Sequence, residues 1–165
     1  IMLATRPQFN WTAEPMKSPP ISAEVAAVFR NYPPSIRTCL IEVRQLIFSV
    51  AASTEEIGPL SETLKWGEPA YLTEVSKSGS TIRLGRISGQ PNLCAIYFNC
   101  KTTLLDSFRA QFADVLTLSG DRAIILDPDR ALPRAPLQIC LLMALTYHRA
   151  KQLAIKKRAR QRNAR

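Results

Sequence analysis

Apolar residues recur at helical spacing through the first third of the chain and at strand spacing through its middle. Val25, Val28, Phe29 and Tyr32 share one helical face behind Ser22, a good N-cap, and Pro33-Pro34 stop the segment. Ile36, Cys39, Leu40, Val43, Leu46, Ile47 and Val50 make the clearest stripe, with Arg37, Glu42, Arg44 and Gln45 off it. This spacing predicts a helix over 36–50 lying on a sheet. Ser53-Thr54-Glu55-Glu56 resembles a capping box, and a short helix over 59–65 is expected to place Leu60 and Leu64 on one face.

Lys65-Trp66-Gly67-Glu68-Pro69-Ala70-Tyr71 is where the period changes. Gly67 is expected to end a helix in a left-handed conformation, and Pro69 forces Glu68 into an extended one. Trp66 and Tyr71 are expected to anchor this corner by burial. Strands are predicted over 70–75, 81–87 and 93–99, with turns at Ser78-Gly79 and over 88–92. Leu105, Phe108 and Phe112 predict a helix from Thr103. A hairpin follows, with strands over 115–118 and 122–126 around Ser119-Gly120-Asp121. Pro136 opens a last helix whose inner face runs through Leu137, Cys140, Leu141, Ala144, Leu145 and His148. The pattern predicts an α+β fold: a single-layer antiparallel sheet of about five strands, covered by N-terminal and C-terminal helices.

Composition adds the division of the chain. Residues 1–20 hold Pro7, Pro15, Pro19 and Pro20 and read as an extended arm, with Phe9 and Trp11 available to pin it. Residues 21–150 form one domain. The net charge is +9, but eight Lys or Arg side chains and no acid lie from Arg149 onward, leaving 14 basic against 13 acidic side chains before it. Residues 151–165 are thus a basic tail whose like charges are expected to keep it mobile and to attract nucleic acid weakly and non-specifically. The longest apolar run, Ile139–Leu145, is far shorter than the roughly 18 residues of a membrane span. No membrane association is expected. The first residues lack a basic stretch followed by an apolar one, so no secretory signal is read and the location is expected to be cytoplasmic, while Ile1 ahead of Met2 leaves an upstream extension open.

The candidate chemistry is sparse. The four cysteines, Cys39, Cys94, Cys100 and Cys140, form no Cys-x-x-Cys pair, and His148 is the only histidine. The cysteines read as reduced thiols, and no metal, cofactor or catalytic residue is assigned. Asp127-Pro128-Asp129 is a turn before it is a metal site. One group stands out: Trp66, Tyr71, Arg83, Arg86, Tyr97 and Lys101 would combine rings and cations on one sheet face if the middle strands pair. That suits a small anion or a flat, charged ligand. The alternative reading makes Trp66 and Tyr71 core anchors and the arginines ordinary surface charges.

The helix over 36–50, the Trp66-Gly67-Glu68-Pro69-Ala70-Tyr71 stretch, the strand ending Ala95-Ile96-Tyr97-Phe98-Asn99, Leu104-Leu105-Asp106 and a C-terminal helix together resemble the YdhG-like family of small bacterial domains of unknown function. The resemblance covers about 21–150 and implies an α+β fold. Some members of that family are described as frataxin-like iron chaperones, for which Glu55, Glu56, Glu62 and Glu68 would be the matching acidic patch. The body here carries no acidic excess. The expected function is a non-enzymatic domain binding a small anionic ligand or a protein partner, with iron delivery and tail-mediated nucleic-acid association as alternatives.

Overall fold

The structure, a computed structural model, describes residues 18–164. Phe9 and Trp11, and nearly all of the expected N-terminal arm, lie outside the described residues. Helix α1 (Ala23–Asn31) starts where expected, with the Val25 N–H donating to Ser22 Oγ at 3.4 Å. Helix α2 (Pro34–Ala52) takes Pro34 into its first turn, where the missing N–H has no helical partner to lose. A 3-10 turn (Glu55–Ile57) leads into strand β1 (Ser61–Lys65), followed by β2 (Glu68–Leu72), β3 (Ile82–Ile87) and β4 (Gln90–Tyr97). Then come helix α3 (Leu104–Phe112), strands β5 (Thr117–Ser119) and β6 (Ala123–Leu126), and helices α4 (Arg134–Leu145) and α5 (Tyr147–Asn163).

The strands form one antiparallel sheet in the order β1-β2-β3-β4-β6-β5. Side chains alternate between its faces. Tyr71, Ile82, Leu84, Cys94, Ile96, Ile124 and Leu126 point to one side and join residues of α1 to α4 in a single hydrophobic cluster. Glu68, Arg83, Tyr97 and Ile125 point to the other and take no part in that cluster. This outer face is where the chemistry collects.

Among the described residues the sheet has six strands rather than five, because the segment expected as a helix over 59–65 is β1. Glu62 and Leu64 alternate inward, Thr63 and Lys65 outward, and each pairs with β2 through the register Glu62↔Tyr71 and Thr63↔Ala70. Gly58 and Pro59 leave too few residues for a stable helix, and the sheet edge supplies hydrogen bonds instead. The turn expected over 88–92 shortens to Ser88-Gly89, and β4 begins at Gln90. Strand β2 ends at Leu72, so Val75 falls in a turn and is exposed. Arg44, expected off the apolar stripe of α2, is buried. Its guanidinium forms a two-point contact with Glu62, Nε to Oε2 at 2.6 Å and Nη2 to Oε1 at 3.0 Å, and Nη2 also donates to the Pro19 carbonyl at 2.7 Å.

The last helix divides at Thr146. His148 lies in the first turn of α5 and is exposed rather than lying on the inner face of α4. Helix α5 then continues to Asn163 with no buried residue, through the basic segment whose like charges are expected to keep it mobile. Ala, Lys, Arg and Gln are good intrinsic helix formers, and the last-turn cations Arg160 and Arg162 complement the C-terminal end of the helix dipole. Among the described residues, no helix is long and apolar enough to cross a membrane.

Candidate anion site on the outer sheet face

Trp66 and Gly67 form the whole connection between β1 and β2, and both have positive φ, 57° and 74°. That is the signature of a type I′ hairpin turn, which favours Asn-Gly because most side chains resist a left-handed first position. Gly67 therefore has the left-handed conformation expected of it, but in a hairpin and not at a helix end. Trp66 is 90% exposed. The expectation that it anchors the core is corrected: a turn tip offers nothing to bury against. Trp66→Asn is expected to stabilise the protein by about 1 kcal/mol, by relieving the left-handed cost. A lower urea midpoint for the variant would show that Trp66 supports the fold after all.

The sheet separates the other candidates. Tyr71 faces the helices and is fully buried, edge-on to Phe48 with ring centroids 5.8 Å apart. Burial, followed by the Glu62 carboxylate beside it, pushes its hydroxyl far above the ordinary phenol range. Tyr71 is a core anchor and cannot touch an outer-face ligand. Arg86 pairs with Cys94, whose sulfur meets Cys39 on α2, so Arg86 belongs to the helix side of the sheet and is exposed at its margin. Arg83 and Tyr97 are directly opposed on the outer face. The Arg83 guanidinium lies 5.4 Å from the Tyr97 ring centre and forms an ion pair with Glu68. The Tyr97 hydroxyl donates to the Arg86 carbonyl at 2.9 Å.

Glu68 reaches Arg83 because Gly85 has no side chain: a Cβ there would collide with the carboxylate. Burial holds the Glu68 carboxyl above its usual range, opposed by the charge and hydrogen bond of Arg83. Burial and Glu68 likewise raise Tyr97, while Arg83 and Arg122 pull it down. Arg122 thus contributes to the same field from the start of β6.

Beside this cluster is an open hollow of about 280 Å³, lined by Lys65, Trp66, Thr81, Arg83, Phe98, Asn99, Cys100 and Arg122. Lys101 is one residue beyond the lining, its N–H held by Asn99 Oδ1 at 2.9 Å. Of the six residues proposed from sequence, Trp66 and Arg83 line the hollow and Tyr97 and Lys101 border it. Tyr71 and Arg86 belong elsewhere. Lys65 and Arg122 are the lining cations that the sequence reading missed. Arg122 enters only because β6 pairs with β4, a neighbour out of chain order. A larger hollow of about 410 Å³ near β5 and β6 mixes Asp114, Asp127 and Arg130 without an aromatic ring, so it presents no single charge to a ligand.

The four carboxylates matched to an iron-binding patch do not converge. Glu62 is bound to Arg44 inside the fold, Glu68 to Arg83 on the outer face, and Glu56 lies 3.9 Å from Arg149. Among the described residues, no three His, Cys, Asp or Glu side chains are grouped to hold a metal ion. No protein-family model, curated protein or solved structure matches this chain.

Proposed function

We propose that this protein is a non-enzymatic binding domain whose outer sheet face takes a flat anionic ligand, with the chemistry of a nucleotide, beside Trp66. The observation that carries this reading is an exposed indole, at a backbone position unfavourable to it, on the rim of a hollow with three cations and one nearby carboxylate. A side chain that costs the fold and contributes no burial points to a use outside the fold. Indole stacks on a base, and guanidinium groups hold phosphate oxygens in paired hydrogen bonds. The resemblance to the YdhG-like family adds only that this corner motif recurs there; iron delivery is not the reading this geometry favours.

A second reading rests on α5. Its cations from Arg149 to Arg162 stand on a helix with no buried residue and no acid, an arrangement that attracts polyanions without reading their sequence. Both readings are tested together. Adenosine diphosphate (ADP) and a short single-stranded oligonucleotide are titrated against the Trp11→Phe protein, in which Trp66 is the remaining tryptophan. Saturable quenching by ADP is expected, weakened roughly tenfold in Arg122→Ala. Deleting residues 151–165 should leave ADP binding intact while reducing oligonucleotide affinity and its salt dependence. Absence of saturable quenching by either ligand would overturn the outer-face reading.

A further inference from the structure

Cys39 of α2 and Cys94 of β4 meet inside the hydrophobic cluster. Both thiols are free, their sulfurs are 3.7 Å apart, and the Cys94 S–H donates to Cys39. Their surroundings differ in one respect that matters chemically. Cys94 is fully buried, whereas Cys39 is 6% exposed and forms part of the wall of an open hollow of about 320 Å³. Ser35, Thr38, Glu42 and Arg130 line the same hollow, so a small polar molecule can approach Cys39 from a polar opening that does not reach Cys94. The hydrogen bond from Cys94 lowers Cys39 from the ordinary thiol range, against burial and the charges of Glu42 and Asp127. The same contact, followed by burial, raises Cys94. Reactivity follows thiolate character and access, and both favour Cys39.

We propose that Cys39 and Cys94 are a redox-active pair, in which a hydroperoxide oxidises Cys39 and Cys94 resolves the product to an intramolecular disulfide. In the first step the Cys39 sulfur attacks one peroxide oxygen and the O–O bond breaks. With hydrogen peroxide, Cys39 becomes a sulfenic acid, and the expelled hydroxide takes up the thiol proton and leaves as water. In the second, the Cys94 sulfur attacks Cys39 Sγ, the S–O bond breaks, and the hydroxyl departs with the Cys94 proton as a second water. Two thiols have lost two electrons, and the peroxide has accepted them. Closing 3.7 Å to a bonded distance of about 2 Å needs rotation of both side chains. The product would tie α2 to β4 across 55 positions of chain. Cys140 is the contrast: it too is buried, which pushes its thiol up to about 12, and no thiol partner lies beside it among the described residues.

The test uses the full chain carrying Cys100→Ser, which removes the exposed thiol. The folded protein is treated with equimolar hydrogen peroxide, quenched with catalase, unfolded, alkylated and mapped by mass spectrometry. The expected result is a Cys39–Cys94 linked peptide, with Cys140 alkylated. Adding Cys94→Ser should trap Cys39 as a sulfenic acid, labelled by dimedone roughly tenfold more than Cys94 is in the Cys39→Ser counterpart. Full alkylation of Cys39 and Cys94 after peroxide, a link to Cys140 instead, or equal labelling of the two single-thiol variants would overturn the assignment. The linked peptide is read in a chain that retains both cysteines, so poor folding of either variant does not protect the proposal.

Discussion

Arg44→Ala is expected to destabilise the protein by about 3–5 kcal/mol, because it strands a buried carboxylate. Arg44 and Glu62 are 4% and 9% exposed in their side chains, and the guanidinium satisfies both carboxylate oxygens and the Pro19 carbonyl. It also lies over Phe48, 4.8 Å from the ring centre, and Phe48 meets Tyr71 edge-on. Removing it leaves Glu62 dry and without its cation beside the buried Tyr71 hydroxyl. Urea unfolding measures the loss. The double variant Arg44→Met/Glu62→Leu should recover to within about 1 kcal/mol of the parent, since removing both charges removes the unpaired one. A double variant as unstable as the single one would place the cost in packing around Phe48 and not in charge.

Gly79→Ala is the second large expected effect, about 3 kcal/mol of lost stability through overpacking. A Cβ on Gly79 would collide with the backbone of Leu145, at the end of α4, where no side-chain rotation can make room. The loop over 78–80 is tied to that helix end on several sides. Ser80 N–H donates to the Ala144 carbonyl at 2.8 Å, Ser78 Oγ to the Leu145 carbonyl at 2.8 Å, and Arg149 N–H to the Ser78 carbonyl at 2.9 Å. The loop thereby satisfies carbonyls that the end of α4 leaves without helical partners. Moving it to admit a methyl group would strand them. A change below about 1 kcal/mol in urea unfolding would show that α4 and the loop separate easily.

The elements with a strong, single period were legible in the sequence. The stripe of α2 and the strands around Ile82–Leu84 and Ala95–Tyr97 needed only local spacing, and the structure shows the α+β sheet they imply. Strand β1 was missed because Leu60 and Leu64 also fit a helical turn, and five residues cannot distinguish the two periods without their partner strand. The exposure of Trp66 has the same origin. Read as a helix end, the segment buries a tryptophan; read as a hairpin, it presents one to solvent. Arg86 needed only parity: it stands three residues from Arg83, and an odd offset along a strand changes face. Lys65 and Arg122 were beyond reach, because they approach Arg83 only once β1, β3, β4 and β6 are placed in spatial order. The Arg44–Glu62 pair was equally hidden, 18 positions apart and on elements of different type.

The outer-face site is tested most directly by a ¹H–¹⁵N NMR titration of the full chain with ADP. Concentration-dependent, saturable shifts are expected for the Trp66 indole N–H and the Arg83 side-chain N–H, with the backbone amides of Thr81, Asn99 and Arg122 moving alongside them. Amides of Tyr71 and Arg86 should follow less, since their side chains belong to the other face of the sheet. Shifts confined to α5, or none at Trp66 and Arg83 at saturating nucleotide, would contradict a ligand site on the outer face.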